Sequence, residues 1–164
     1  MRAEDLVIAA EPFGSPGPQA IVALARDEFD RLYGQGNRGA HDLGPGDFDP
    51  PRGVYLVARD AQGHLAGGVG IRPIVEPAAH IGEVKRLWVR PDLRHHGVAT
   101  ALMAAALAHA TQAGYRELYL ETGPRQPAAR RLYERLGWDV VAEFPAGAHV
   151  HDTGTRFHLD LRGT

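Results

Sequence analysis

The sequence predicts a mixed α/β fold, in which helices pack on the faces of a sheet. Short apolar runs alternate with polar residues as in strands, and three longer segments repeat apolar residues at helical spacing. The central order is strand, helix, strand, helix, which favours locally parallel pairing, whereas a hairpin signal favours antiparallel pairing. We therefore predict a central mixed, mostly antiparallel sheet of six to seven strands flanked by helices.

The first fifty residues predict a strand, a helix and the start of a long loop. Residues 6–9 form a short apolar run, and residues 16–33 place Ile21, Leu24 and Phe29 near helical spacing. Residues 34–53 are rich in glycine and proline, which disfavours regular structure. This loop is either a flap over an acceptor or an ordinary surface loop.

Residues 54–89 predict a hairpin followed by a long strand. Residues 54–59 and 65–71 are typical of strands, and the turn between them has glycine near its end. Residues 81–89 form the third strand, which ends before a proline because proline lacks the backbone donor. Period-two alternation predicts that Glu83 and Val89 lie on the same face.

The remaining residues predict two helices between strands. Residues 97–113 are rich in alanine, which favours helix, and Gly114 is a suitable C-terminal stop. Pro127 begins the last helix, where its missing N–H costs nothing, and Gly137 ends it. The strands of this half are residues 117–122, 138–142 and 156–161.

The composition predicts a single domain, residues 1–164. The chain is 44% hydrophobic and 23% charged, and no run approaches the ~18 consecutive apolar residues of a membrane span. Its start lacks the pattern of a signal peptide. It has no cysteine, which excludes disulfides, zinc–thiolate sites and cysteine nucleophiles. We expect a cytoplasmic protein, and the net charge of −2 argues against nucleic acid as a partner.

Residues 94–99, Arg-His-His-Gly-Val-Ala, are the most informative stretch, because they join the long strand to the alanine-rich helix. The first amides of a helix have no internal partner, and the helix dipole adds partial positive charge there. Gly97 and Ala99 are small enough for a ligand to approach the backbone closely. This arrangement predicts a site for a pyrophosphate.

Three motifs resemble those of the GNAT superfamily of N-acetyltransferases. They are the Arg94-x-x-Gly97-x-Ala99 loop, the Leu132-Tyr133-Glu134-Arg135-Leu136-Gly137-Trp138 segment, and the hairpin that closes on Gly67-Gly68. Together they span about residues 54–142. The resemblance implies a GNAT-like fold and acetyl transfer from acetyl-CoA, as co-substrate, to a primary amine of a small molecule or peptide.

The resemblance also implies which residues contact coenzyme A. The amides of residues 95–100 would wrap the pyrophosphate, and the end of the preceding strand would hydrogen-bond the pantetheine arm. The asparagine that the family often has after Thr122 is missing, so Gln126 or Arg125 would replace it. The predicted cofactor-binding residues are Leu87, Trp88, Val89, Arg94, His95, His96, Gly97, Val98, Ala99, Thr100 and Gln126.

Two residues are candidates for proton transfer. The amine must lose a proton because alkyl amines have a pKa near ~10, and the thiolate leaving group benefits from gaining one. The resemblance implies Glu83 as the base and Tyr133 as the acid. The alternatives are that Glu83 pairs with Lys85 or Arg86, and that Tyr133 is a core ring that covers the sheet.

The other side chains of the loop have two interpretations each. Arg94 either helps to bind phosphate or fixes the loop. His95 and His96 either add donors to the pyrophosphate or face solvent, and Thr100 either offers its hydroxyl or only fills the first turn. Val98 is expected to pack in the core.

The leading hypothesis is an acetyl-CoA-dependent N-acetyltransferase that acts by direct transfer in a ternary complex. The alternative is a non-catalytic acyl-CoA-binding sensor or regulatory module, which would need neither Glu83 nor Tyr133. We predict no metal site, because His149 and His151 lie in a glycine-rich loop and are weak evidence for one. The sequence does not identify the acceptor amine. It does not determine the oligomeric state either, since the terminal strands could pair across a homodimer.

Overall fold

The computed structural model describes residues 2–34, 43–44, 46–74, 80–145 and 154–163. Within these residues, three α-helices accompany one seven-stranded sheet. The strands are β1 (Val7–Ala10), β2 (Val54–Arg59), β3 (Leu65–Pro73), β4 (Ile81–Val89), β5 (Glu117–Thr122), β6 (Asp139–Val141) and β7 (Thr155–Asp160). The helices are α1 (Pro16–Tyr33), α2 (Val98–Gln112) and α3 (Pro127–Arg135). None of the described helices is long and apolar enough to cross a membrane.

The sheet has the strand order β1-β2-β3-β4-β5-β7-β6. All neighbouring strands are antiparallel except β4 and β5, which are parallel and joined by α2 as the crossover. The predicted mixed, mostly antiparallel sheet is therefore confirmed. The predicted hairpin is the β2–β3 pair, and the predicted helix at residue 97 begins one residue later, with Gly97 as its N-cap.

The two faces of the sheet are covered by different helices. The larger buried cluster, which we call the α2-face cluster, includes Leu102 of α2 and Tyr133 of α3. The smaller cluster lies on the other face, where Ile21 of α1 packs with Trp88 of β4. We call this second side of the sheet the α1 face. The sheet thus separates the two clusters, and β4 contributes side chains to both of them.

A β-bulge in β4 changes which side chains share a face. The register with β3 shifts around Arg86, whose φ of 62° lies in the left-handed region. An extra residue in one strand reverses the alternation beyond it. Val84 and Val89 consequently both join the α2-face cluster, whereas Glu83, the neighbour of Val84, lies on the α1 face. The prediction that Glu83 and Val89 share a face is therefore wrong.

Strands β4 and β5 separate after a short parallel pairing. In the described strands this pairing is confined to residues 81–83 of β4 and 117–119 of β5. Beyond these residues β4 remains paired with β3, and β5 remains paired with β7. The two strands therefore leave a gap between their carboxyl ends, which we call the β4–β5 wedge. The loop that begins α2 follows β4 at the edge of this wedge.

Candidate active site

The loop before α2 presents backbone amides without internal partners. Gly97, the N-cap of α2, has a φ of 84°, and His95 has a φ of 65°. The first helical hydrogen bond is donated by Ala101 to the Gly97 carbonyl at 3.0 Å. Among the described residues, none accepts a hydrogen bond from the amides of residues 95–100. These N–H groups lie at the positive end of the helix dipole and form a site suited to an anion.

The side chains of this loop divide between solvent and core. His95, His96 and Thr100 are exposed, and His96 Nδ1 lies 2.8 Å from the Arg94 carbonyl oxygen. Val98 is buried in the α2-face cluster, which confirms the expectation that it packs in the core. The exposed His95 and His96 side chains agree with the interpretation that these rings face solvent.

Arg94 ties the loop to α1 and to the end of β4. Its Nη1 and Nη2 donate to Glu28 Oε1 and Oε2 at 2.7 and 2.6 Å, and its Nε donates to the Val89 carbonyl at 2.9 Å. Trp88 Nε1 also donates to Glu28 Oε2, at 3.0 Å. The hydrogen bond from Arg94 holds the pKa of Glu28 below its ordinary value. These contacts support the interpretation that Arg94 fixes the loop.

Glu28 is a residue that sequence analysis misses. It is separated from Arg94 by 66 positions. Along α1 it is one of several charged residues, and no local motif distinguishes it from the others. Only the tertiary structure shows that it joins α1 to the loop.

The backbone amide of Val89 faces the β4–β5 wedge. Arg90 donates to the Ala66 carbonyl at 2.8 Å, so Arg90 and, two residues earlier, Trp88 direct their backbone groups toward β3. Residues between such pairs direct theirs the other way. Val89 lies between them, and its N–H therefore points away from β3. The Leu87 side chain packs against the α2-face cluster.

Glu83 is a buried carboxylate on the α1 face, only 2% exposed. Arg72 Nε donates to Glu83 Oε1 at 3.0 Å, while Lys85 Nζ lies 3.9 Å from Oε2. The same Arg72 donates to Asp47 Oδ2 at 3.0 Å. Burial raises the pKa of Glu83 above its ordinary value, although Lys85 and Arg72 act in the opposite direction. The expected pairing with Lys85 is thus present, but the closer partner, Arg72, was not predicted. The role of Glu83 as a base stays a prediction.

Tyr133 lies on α3 within the α2-face cluster. Its ring centroid is 5.5 Å from that of Phe157 and 6.0 Å from that of Trp138. Burial raises the pKa of Tyr133, so the hydroxyl stays protonated at neutral pH. Within the described part of the chain, this hydroxyl has no hydrogen-bond partner, and Glu83 lies on the opposite face of the sheet. Tyr133 is therefore a ring of the core, as one of its two interpretations has it, and its role as an acid stays a prediction.

A row of side chains crosses the α1 face at the base of the wedge. Directly paired positions on β3, β4, β5 and β7 carry Arg72, Glu83, Tyr119 and His158. The Tyr119 ring centroid lies 4.8 Å from that of His158 and 5.4 Å from that of Phe144. The row therefore places an aromatic wall beside the Glu83 carboxylate.

The turn between β5 and α3 holds the residues predicted to replace the missing asparagine. Gln126 Oε1 accepts from the Gly123 amide at 2.9 Å, and Arg125 contacts α1 instead. Thr122 Oγ1 is buried, has no hydrogen-bond partner in the described structure, and borders a cavity of about 300 Å³. A contact between Gln126 and a cofactor stays a prediction.

Metal binding is not supported by any described cluster. The histidine, aspartate and glutamate residues that the structure describes form no group of three able to hold a metal ion. His149 and His151 lie outside the described residues. The expectation that the protein binds no metal therefore stays a prediction.

Comparison with known proteins gives the family. Residues 19–138 match the family model described as the acetyltransferase (GNAT) family. Because this match covers well over half of the sequence, the chain belongs to the GNAT acetyltransferase family. The resemblance drawn from the three motifs is confirmed.

Several curated relatives carry N-acetyltransferase names. An uncharacterised N-acetyltransferase of Schizosaccharomyces pombe is 34% identical over 59% of this chain and 58% of its own length. The uncharacterised N-acetyltransferase YjgM of Escherichia coli is 32% identical over 63% and 61%. The mycothiol acetyltransferase of Cellulomonas flavigena is 33% identical over 73% of this chain but 38% of its own length. The chain thus spans about three fifths of the length of the first two relatives.

Solved structures share the fold over nearly the whole chain. A Klebsiella pneumoniae protein assigned as an acyl-CoA N-acyltransferase superposes with a TM-score of 0.76 at 26% identity, covering 95% of this chain and 97% of that one. A GNAT-family acetyltransferase from Staphylococcus aureus gives 0.75 at 12% identity, covering 96% and 99%. At 12% identity the likeness concerns the fold alone. The predicted GNAT-like fold is confirmed.

Proposed function

We propose that the protein is an acetyl-CoA-dependent N-acetyltransferase that transfers the acetyl group directly to a primary amine in a ternary complex. The observation that carries the proposal is the run of amides at residues 95–100, for which the described residues provide no acceptor, next to the β4–β5 wedge. Membership of the GNAT family and the N-acetyltransferase names of the relatives support it.

The residues around the wedge fit coenzyme A. Successive amides at a helix N-terminus suit a diphosphate, whose oxygens accept hydrogen bonds. The N–H of Val89, which points into the wedge, supplies a donor for the thioester carbonyl, whose oxygen gains negative charge when the amine attacks. Thr122 Oγ1 is a buried hydroxyl without a described partner, and such a group is costly unless a ligand satisfies it.

Glu83 is the proposed general base. An alkyl amine with a pKa near ~10 is mostly protonated at neutral pH and must lose a proton before it attacks. The raised pKa of Glu83 makes it a better proton acceptor than an exposed glutamate. Arg72 holds one carboxylate oxygen in a defined orientation. Its position beside Tyr119 supports an acceptor site on the α1 face.

Tyr133 is the proposed general acid, and it acts from the other face of the sheet. The amine nitrogen forms a bond to the thioester carbonyl carbon, and the carbon–sulfur bond breaks. Glu83 takes the proton that the amine loses, directly or through water, and Tyr133 donates its proton to the departing thiolate. The products are the N-acetylated amine and the free thiol of coenzyme A.

The acceptor is proposed as a primary amine of a small molecule or peptide. One relative is named for mycothiol, and a spermidine N-acetyltransferase chimera shares the fold with a TM-score of 0.65 at 21% identity. The aromatic wall of Tyr119, Phe144 and His158 suits an acceptor with an apolar portion next to its amine.

Two measurements test the proposal in sequence. Calorimetry with coenzyme A and acetyl-CoA tests binding, and a thiol-release assay over a panel of polyamines, amino acids and peptides tests transfer. Binding followed by thiol release, with the acetylated amine identified by mass spectrometry, supports the enzyme. No heat with either ligand overturns it. Binding without release for any amine favours the regulatory module, in which the Glu83–Arg72 pair is only structural.

A further inference from the structure

We infer that α1 is a strap across the β4–β5 wedge, and that Glu28 and Tyr33 are the positioning residues that set the width of this gap. The inference rests on the proposed function, because the width matters for catalysis only if an acyl-CoA arm lies in the wedge. Glu28 fastens α1 on the β4 side, and Tyr33 fastens it on the β5 side.

The fastening on the β4 side is a charged network. Glu28 accepts two hydrogen bonds from the Arg94 guanidinium and one from the Trp88 indole. Bidentate carboxylate–guanidinium pairs are among the stronger and more directional hydrogen bonds in proteins. The Glu28 side chain is 27% exposed, so the pair is partly shielded from water. This network joins α1 to the last residues of β4 and to the loop that follows.

The fastening on the β5 side involves the last turn of α1. The Arg125 amide donates to Tyr33 Oη at 3.0 Å, and its Nη1 donates to the Leu32 carbonyl at 2.7 Å. Carbonyls in the last turn of a helix lack internal donors and attract cations. At Gly123 a Cβ atom would collide with Tyr33 Oη, so the far end of the Tyr33 side chain packs directly against the turn after β5. The end of α1 is therefore fixed to the carboxyl end of β5.

The distance between Glu28 and Tyr33 along α1 exceeds the distance between paired strands, as expected for a helix that bridges a gap. Glu28 and Tyr33 lie roughly 7.5 Å apart along the helix axis, at about 1.5 Å per residue. Paired strands lie only about 4.8 Å apart. In the described strands, backbone pairing between β4 and β5 ends at Glu83 and Tyr119. Helix α1 thus connects the carboxyl ends of β4 and β5, which are no longer hydrogen-bonded to each other.

The Glu28–Arg94 pair is connected to Val89, whose N–H is the proposed oxyanion donor. Arg94, which Glu28 orients, also donates to the Val89 carbonyl, and the Val89 N–H faces the wedge. Misplacement of a reacting group by about 1 Å can cost roughly 10²-fold in rate. Glu28 therefore acts through Arg94 on the end of β4, without contacting a substrate.

The absence of cysteine makes a direct measurement of the wedge practical. Cysteines introduced at Asp92 and Ala128 would be the only labelling sites for spin labels. Both residues are exposed, one just after β4 and the other at the start of α3. Pulsed electron paramagnetic resonance then gives the distance distribution across the wedge. It is measured in this labelled background and in the same background carrying Glu28→Ala or Tyr33→Phe.

Asp27→Ala is the matched control. Asp27 is an exposed acidic residue on the same helix, and it forms no hydrogen bond or ion pair with a described residue. We expect Glu28→Ala and Tyr33→Phe to lengthen or broaden the distance distribution, Asp27→Ala to leave it unchanged, and coenzyme A to narrow it again.

Ligand binding provides the functional measurement. The Kd for coenzyme A should rise about tenfold in Glu28→Ala, because part of the binding free energy must then reorder the loop that Glu28 holds through Arg94. Glu28→Gln keeps one acceptor oxygen and should recover part of this loss. The KM for acetyl-CoA should rise in parallel, while the KM for the amine stays unchanged.

The outcomes separate this inference from the proposed function. Unchanged distances in both Glu28→Ala and Tyr33→Phe overturn the strap, even where acetyl transfer is confirmed. If coenzyme A fails to bind the wild-type protein, the proposed function falls, and the ligand-free distances still support or overturn the strap. Tyr33→Phe removes a single hydroxyl, so it provides the test if Glu28→Ala does not fold.

Discussion

Glu83 of β4 and Tyr119 of β5 are directly paired, and they form the last such pair before the two strands separate. The buried Glu83 carboxylate therefore lies at the point where β4 and β5 begin to diverge. Burial raises the pKa of Glu83, and the backbone pairing of β4 with β5 ends beside it. The proposed base is therefore both desolvated and next to the gap.

Glu83→Gln should reduce kcat by about 10²-fold or more, because a general base contributes roughly 10²–10⁴-fold. The amide keeps the size of the side chain but cannot accept the proton. The Kd for acetyl-CoA, measured by calorimetry, should stay unchanged. In the wild-type protein, kcat should fall as pH is lowered through the raised pKa of Glu83.

Glu134→Gln is the control for this substitution, because Glu134 is an exposed carboxylate on α3 whose partner is Arg130. It should leave kcat and the pH profile as they are in the wild-type protein. A Glu83→Gln variant with wild-type turnover would remove Glu83 from the mechanism and leave it as the ion-pair partner of Arg72.

The same Glu83→Gln variant should gain stability relative to wild type as pH rises. The folded-state pKa of Glu83 lies above its unfolded value, so ionisation costs more in the folded protein. Its contribution to wild-type stability is fully present below the unfolded pKa, about 4.3, and is lost as pH rises through the folded pKa. Urea unfolding between pH 4 and pH 8 measures this. A stability difference that stays constant or shrinks with rising pH would contradict the assignment.

Tyr133→Phe should lower kcat by a smaller factor, about tenfold. A thiol has a pKa near ~8.5, so its thiolate leaves without as much help as an alkoxide would need. The Kd for acetyl-CoA should change little because the ring remains in the core. Tyr115→Phe is the matched control, since that hydroxyl donates to the Arg52 carbonyl instead. Equal turnover in both variants would mean that Tyr133 is only a core ring.

The positions of the elements are predictable because their signals are local. Every predicted strand and helix lies within about two residues of an observed one, including α1, β2 and β4. Periodic burial of apolar side chains depends on the element's own geometry, so the sequence pattern carries it directly. The loop before α2 was predictable for the same reason, because its glycine and the following alanine-rich run are adjacent in the chain.

Two features of the site are not predictable in this way. Arg86 adopts a φ of 62°, which non-glycine residues seldom do, and nothing in its neighbours indicates the bulge that reverses the face of Val89. The Glu28–Arg94 pair joins residues 66 positions apart. Its existence depends on how α1 packs over β4, which the pattern of either segment does not contain.

Gly97→Ala should weaken the binding of coenzyme A, and Gly114→Ala should not. Both glycines have positive φ, 84° and 88°, and lie at opposite ends of α2, with no contact closer than 3.4 Å to an added Cβ. Each substitution should destabilise the fold by about 1–2 kcal/mol, because L-residues are strained in that region. Only Gly97 shapes the amides of residues 95–100. An alanine at position 97 relaxes from the strained backbone conformation in the free protein. Binding must restore that conformation, so the Kd for coenzyme A should rise roughly tenfold. Equal affinity of the two variants for coenzyme A in calorimetry would show that the loop amides do not hold the pyrophosphate.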